Sequence, residues 1–364
     1  MKRLLSLVCC LALLVALASG CAAGQPDNPK YALWQRPGAL RGLNQSTPTM
    51  VDVFKPLGIN LVQFSTPGIW QRQPPYTQND DVLALLDQMV KAASDQQIYC
   101  VIAMRSGPGL EDVYEAGLHK DVRTTIWGSP AEIKKYGEMW ALIAARYKDN
   151  PRVIGYNLLV EPTADRWAGA EGGTPEEGQR AMEQKGIDWQ AIASGWAKQI
   201  RAADPLTPII VGAQSWATPT FFRILKPIDD PFAVYDVHQY EPHAYTHQLS
   251  QGDDPAIVPY PGTSLHYWRL DKAMPFDQSF LPAVLQDVRD FQQRNGNPPI
   301  FVGEYGAEYK YAPGSDQFIA DQTALFAQYG WHSAVWYSSG PFSFIDQPAV
   351  LDVLKNYWKG GGAS

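Results

Sequence analysis

Cysteine is scarce in this chain of 364 residues, and three of its four cysteines fall within the first 21 positions, at Cys9, Cys10 and Cys21. Only Cys100 is left in the body, so neither an intrachain disulfide nor a cysteine metal site can staple the fold. Cys100 lies inside an apolar run and reads as an inert core residue. Basic charge is short as well: 30 Lys and Arg against 37 Asp and Glu leave a net charge of −7. A surface of that sign does not hold phosphate backbones or anionic lipid, which argues against nucleic acid and membrane faces as partners. No linker and no break in composition divides residues 31–358, which read as one domain. No sequence feature calls for a cofactor or a metal, and a monomer is expected.

The first residues are of a different kind. Lys2 and Arg3 precede an apolar stretch from Leu4 to Ala18, too short for a comfortable membrane span, and Ser19-Gly20-Cys21 follows. This is the layout of a secretory signal peptide over residues 1–20. Leu17-Ala18-Ser19-Gly20-Cys21 resembles the bacterial lipobox, which implies that Cys21 is lipidated and becomes the mature N-terminus. An ordinary secretory signal is the alternative. Ala22 is not the Asp that favours retention at the inner membrane, so an outer-membrane lipoprotein is expected, touching the membrane only through its anchor. Residues 21–30 read as the lipidated cysteine and a tether, and residues 359–364 as a flexible tail.

What is abundant is apolar and aromatic: 45% of residues are apolar, with twelve Trp and eighteen Tyr. Short apolar runs at 40–43, 60–64, 99–104, 153–159, 209–212, 233–237, 300–303 and 334–337 read as strands. Helical patterns lie between them at 50–57, 82–94, 130–147, 189–203, 220–225, 280–295 and 317–329, with a last one at 349–358. Ser129, Pro130 and Glu132 form a helix-start signal with a capping box. Trp189, Ile192, Trp196 and Ile200 make an apolar stripe at helical spacing. Strands that barely alternate are buried on both faces, as in a parallel sheet covered by helices. Eight such units predict an α/β fold of the (β/α)8 TIM-barrel kind; the alternative, a doubly wound open sheet, would need a glycine-rich phosphate loop after its first strand, which is absent.

A barrel demands that active-site groups stand at the C-terminal ends of its strands. Those positions hold Asn44, Gln63, Arg105, Glu161, Gln214, His238 with Tyr240, Glu304 and Trp336, with Trp216 just past the fifth strand. Any one of these has a structural reading, as a turn, an ion pair or a core cap. Together, polar groups ending apolar strands cost folding energy unless they meet at a site. Glu161 and Glu304 end strands four and seven, which face each other across the mouth. Two opposed carboxylates are what glycosidic bond cleavage requires, one to protonate the leaving oxygen and one to attack the anomeric carbon.

With Val160-Glu161-Pro162, Asp236-Val237-His238-Gln239-Tyr240, Gly303-Glu304-Tyr305-Gly306 and Trp336 in place, the sequence from about Leu40 to Trp358 resembles glycoside hydrolase family 5, the cellulase family of clan A. The resemblance implies Glu161 as acid/base and Glu304 as nucleophile of a retaining, endo-acting hydrolase of β-linked polysaccharide or oligosaccharide. It implies substrate contact for His238, a hydrogen bond from Tyr240 to the nucleophile, and a stacking platform at Trp336. Three positions depart from the pattern. Val160 replaces the asparagine that binds the sugar 2-hydroxyl, Gln63 replaces an arginine, and Arg105 replaces a histidine. A swap is expected in which Arg105 supplies positive charge to Glu304, with Gln214 taking over the 2-hydroxyl contact and Trp216 serving as a second platform or as core. Loops 163–186 and 241–277 are expected to shape the cleft, the second with a wall of aromatic and histidine side chains; a metal on His243 and His247 is disfavoured by Pro242. A catalytically impaired, carbohydrate-binding barrel and a transglycosylase are the alternatives to hydrolysis.

Overall fold

A computed structural model describes residues 27–45, 47–111, 124–248, 258–265, 274–337 and 339–360. The signal segment, Cys21, His266, Tyr267, Trp268 and the tail beyond Gly360 lie outside the described residues.

Eight parallel strands close into a barrel: β1 (Arg41–Gln45), β2 (Leu61–Thr66), β3 (Tyr99–Met104), β4 (Val153–Asn157), β5 (Ile209–Gly212), β6 (Ala233–Gln239), β7 (Ile300–Tyr305) and β8 (His332–Val335), with β8 returning to pair with β1. Their side chains are buried along almost their whole length, because the interior is packed and helices cover the outside. The covering helices include α2 (Asp80–Asp95), α3 (Pro130–Tyr147), α4 (Trp189–Ala203), α5 (Gln286–Arg294), α6 (Ser315–Tyr329) and α7 (Pro348–Lys359). The Ser129 hydroxyl caps α3 by accepting from Glu132 N at 3.3 Å. The reciprocal half of the expected capping box is missing, since the Glu132 carboxylate accepts instead from Tyr76 and Thr125. The aromatic stripe of α4 docks inward, with the Trp189 indole donating to Gly212 O and that of Trp196 to Ile133 O.

The expected tether is shorter than the sequence suggested. Residues 29–34 form a helix, α1 (Pro29–Trp34), that plugs the N-terminal end of the barrel. Proline at its first position and the Asn28 carbonyl oxygen Oδ1, accepting from Lys30 N and Tyr31 N, start it. Its Trp34 stacks edge-on against Phe301 and His332, and the indole N–H donates to Ile154 O at 2.8 Å. The Lys30 ammonium is buried and donates to Thr207 Oγ1 and Lys148 O. Asn28 to Lys30 therefore belong to the folded body.

Other differences are local. The expected helix at 220–225 is a 3₁₀ segment, Pro219–Arg223, and the one at 280–295 is broken at Leu285. The long loop after β6 contains a short antiparallel ribbon, Gly262–Leu265 with Met274–Phe276.

Candidate active site

Two irregularities bring the carboxylates together. Strand β4 ends at Asn157, and four residues later Glu161 takes a left-handed backbone (φ 55°) that a non-glycine residue adopts at a cost of roughly 1 kcal/mol. On β7 the pairing with β6 slips by one residue, so that Val237 faces Val302 but His238 faces Glu304. The extra residue is Gly303. A bulge there re-aims Glu304 inward, where strict alternation would have turned it toward the helices. Glycine is required, because a Cβ at 303 would stand 2.2 Å from Asp236 Oδ1.

The result is a compact, almost fully buried cluster at the C-terminal mouth. A carboxylate oxygen of Glu161, one of Glu304 and a ring nitrogen of His238 all lie within 4.8 Å of one another. Arg105, at the end of β3, places Nη2 2.5 Å from Glu304 Oε1 and Nη1 3.8 Å from Glu161 Oε2. The Tyr240 hydroxyl donates to Glu304 Oε2 at 3.1 Å. His238 Nδ1 is 3.0 Å from Glu161 Oε1 and 3.6 Å from Glu304 Oε2. Trp336 is half-buried beside the cluster, with the Arg105 guanidinium 4.8 Å from its ring centre.

Burial pushes the Glu304 carboxyl up to about 7, against the opposing charges of His238 and Arg105 and with help from Glu161 and Asp236. Burial alone would lower His238, but the charges of Glu304 and Asp236 and the contacts with Asp236 and Glu161 outweigh it and hold the imidazole well above its ordinary value. The acceptor geometry separates the two glutamates. Both oxygens of Glu304 accept from donors, whereas Glu161 Oε2 is buried with no hydrogen-bond partner among the described residues.

Four further candidates from the sequence make contacts of their own. Asn44 and Gln63 are fully buried one layer below the mouth, since β2 runs three residues beyond Gln63. The Gln63 amide donates to Asn44 Oδ1 at 2.9 Å, and the Asn44 amide donates to Gly303 O at 2.7 Å, so the pair braces the β7 bulge from below. Gln214 bonds the loop backbone, with no hydrogen bond to either glutamate among the described residues. Its Oε1 accepts from Ala164 N at 2.6 Å, and it lines a separate crevice with Trp189 and Phe221. Trp216 sits half-buried in a left-handed turn, Ser215–Ala217, with its backbone N–H on Pro162 O at 3.3 Å. Val160 is buried and donates only its backbone N–H, to Met104 O.

Of the aromatic and histidine residues expected to wall the cleft, Tyr245 and Tyr260 are instead buried in the core against Phe276 and Phe318. His243 and His247 stack face to face at 3.9 Å, and His247 and Phe342 each pack edge-on against Tyr240. Parallel stacked rings do not converge their nitrogens on one ion, which adds to the case against a metal there.

Two buried polar residues were not singled out from the sequence. Asp236, below His238 on the same face of β6, accepts from Gly303 N at 2.9 Å and from the Asn157 amide at 2.6 Å. The signal was a lone carboxylate and a lone amide inside otherwise apolar strands.

A closed parallel barrel with opposed glutamates at its C-terminal mouth defines a barrel glycoside hydrolase. The sequence profile "Cellulase (glycosyl hydrolase family 5)" matches residues 28–341, and the chain belongs to that family. Endoglucanase C of Acetivibrio thermocellus is 24% identical over 189 residues, and endoglucanase 3 of Fibrobacter succinogenes 29% over 206. Each match takes in 50% of this chain; it spans 48% of the first protein and 29% of the second, so the chain covers about half the length or less of these relatives. Endoglucanase Cel5A of Thermotoga maritima superposes with a TM-score of 0.66 at 21% identity, over 88% of this chain and 99% of that one. The cellulose synthase subunit Z of Clostridioides difficile superposes with a TM-score of 0.62 at 18% identity, over 87% and 99%.

Proposed function

We propose that the protein is a retaining, endo-acting hydrolase of a β-linked glucan, with Glu304 as nucleophile and Glu161 as acid/base. The observation that carries this is the spacing and inequality of the two carboxylates. Oxygens within 4.8 Å of each other fit direct attack with a covalent intermediate and leave no room for the water that an inverting enzyme places between them. Glu304 accepts from Arg105 and Tyr240, as an ionised nucleophile should, while Glu161 Oε2 accepts from no described group and is left to carry the acid proton. The endoglucanase names of the relatives favour glucan over mannan or xylan. Trp336, beside the pair, is the stacking surface for the sugar at the cleavage point. Lipidation at Cys21 would place the enzyme at the envelope, where its polymer is taken up or exported.

The test is incubation with carboxymethylcellulose, mixed-linkage β-glucan, glucomannan and xylan, following viscosity and reducing ends together, with proton NMR of the first-formed anomer. A fast fall in viscosity on a glucan, β-anomer first, and loss of both signals in Glu304→Gln are expected. An α-anomer first overturns retention. Binding without any turnover across the panel overturns the enzyme reading in favour of a carbohydrate-binding barrel, and longer oligosaccharide products identify a transglycosylase. Labelling with palmitate, lost in Cys21→Ala, tests the anchor.

A further inference from the structure

Asp236 is buried, and neither nucleophile nor acid/base chemistry uses it directly. Its environment is nevertheless built. Oδ1 accepts from Gly303 N and Oδ2 from the Asn157 amide, whose other acceptor is Gln63 Oε1 at 3.3 Å. Gln63 in turn is fixed on Asn44 and on Gly303 O. A chain of side-chain amides from β1 to β6 therefore holds Asp236 as an acceptor, aimed up the barrel axis. What stands above it is His238, with Nε2 3.4 Å from Oδ2, an ion-pair approach, and no closer polar partner among the described residues.

We infer that Asp236 is a positioning residue that keeps His238 protonated on both nitrogens, and so directs the acid proton of Glu161 to Oε2, the oxygen that His238 does not hold. This rests on the reading of Glu161 as acid/base.

The reasoning is a count of hydrogens. Nε2 faces only Asp236, which can only accept there, so Nε2 carries a hydrogen. Nδ1 faces two carboxyl groups, Glu161 at 3.0 Å and Glu304 at 3.6 Å, and with Glu304 ionised a hydrogen on Nδ1 is favoured over a bare lone pair. With both hydrogens present, the Nδ1–H donates to Glu161 Oε1. A neutral Glu161 must then carry its own proton on Oε2, which accepts no hydrogen bond from a described group and stands 3.8 Å from Arg105 Nη1. The charges close as well. Asp236 and Glu304 ionised, Arg105 and His238 cationic and Glu161 protonated make a neutral cluster, and Tyr240 adds a neutral donor. Removing the charge at 236 leaves one cation too many, and the imidazolium is the group that can give up its proton. His238 then becomes a single-hydrogen ring, Glu161 Oε1 can donate to Nδ1, and the acid proton is tied up in a hydrogen bond to the imidazole. An aspartate that fixes a histidine tautomer without itself exchanging a proton has a precedent in the serine protease triad.

The test uses the full-length enzyme and its Asp236→Asn and Glu161→Gln variants, each on two substrates. Soluble mixed-linkage β-glucan has a poor leaving group and needs the acid; 2,4-dinitrophenyl β-cellobioside does not. Asp236→Asn is expected to lower kcat/KM on the glucan at least about tenfold, within the range a general acid contributes, while the aryl glycoside falls much less. Its alkaline limb should move to lower pH. Nitrogen-15 spectra of histidine-labelled wild type should show His238 as an imidazolium at pH 6, and the variant should show a neutral ring. A wild-type His238 that is neutral at pH 6 overturns the inference even if the variant fails to fold, and so does equal loss on both substrates in Asp236→Asn. If Glu161→Gln also loses both substrates equally, the acid/base assignment itself is wrong; if only Asp236→Asn does, the assignment stands and this inference falls.

Discussion

Arg105 meets Glu304 from four strands away: β3 and β7 stand opposite each other in the barrel, yet Nη2 and Oε1 are 2.5 Å apart across its mouth. The family pattern has histidine at this position, and the arginine it carries on the second strand is Gln63 here. The positive charge has moved by one strand and still reaches the same carboxylate.

Arg105→Ala should therefore cost about a hundredfold or more in kcat, since a charged donor to a developing charge is removed. The pH profile gives the sign. As the proposed nucleophile Glu304 has to be ionised to attack, and its carboxyl is already raised to about 7 by burial. Loss of the neighbouring cation raises it further, so activity at pH 6 falls more than activity at pH 8, and the acidic limb of kcat/KM moves upward. Arg105→Lys keeps the charge and should recover part of the shift. An unchanged acidic limb in Arg105→Ala would exclude this role.

Gly303→Ala should remove activity while sparing much of the fold. The new methyl has to displace Asp236 Oδ1 or straighten the bulge that turns Glu304 inward. Overpacking of this kind costs about 1–3 kcal/mol. Thermal unfolding and kcat measured together should show a modest loss in the first and a large loss in the second.

Asn44 and Gln63 separate support from contact. Both are fully buried beneath the cluster, so Gln63→Ala and Asn44→Ala should each lower stability by about 1–3 kcal/mol through unpaired buried groups. Substrate KM should stay within about twofold while kcat declines, because the bulge loses its brace. A large rise in KM for either variant would show that the side chain reaches sugar after all.

His332 ties the acid stability of the barrel to α1. Its Nε2 donates to Trp34 O at 2.8 Å and its Nδ1 accepts from Leu40 N at 3.2 Å, so the folded ring is neutral. Burial lowers it to about 4, with Arg41 adding to the effect and the Trp34 carbonyl opposing it. The unfolded chain takes up the proton near 6.5, so stability present above that pH is lost as the pH falls toward 4. The loss amounts to roughly 3 kcal/mol over that window. His332→Gln should be less stable than wild type at pH 8, with a shallower fall between pH 6.5 and 4 in urea titrations.

The barrel and the glutamate pair were legible because both are written in spacing: apolar runs at regular intervals, each ended by a polar group. Arg105 could be read too, as a charge at a strand end beside a missing one. Asn44 and Gln63 misled because strand ends were judged one layer too early, and a residue two places down a strand points the same way but lies below the mouth. Asp236 was hidden inside a motif whose histidine and tyrosine drew the attention. Gln214 stood at a strand end yet bonds the loop backbone, a choice that depends on how loops after β4 and β5 meet. Helix α1 was missed because six residues with a proline start look like tether; the asparagine cap before that proline was the available sign.

That helix also sets a direction. Trp34 seals the pole of the barrel opposite the glutamates, and Asn28 and Lys30 are pinned there by Leu206, Lys148 and Thr207. Anything joined to the chain ahead of Asn28 therefore pulls on the closed pole. Held to a surface by that end, the enzyme would stand with its cleft outward, like a cup set on its base, and a passing polymer strand could cross the rim without threading beneath it.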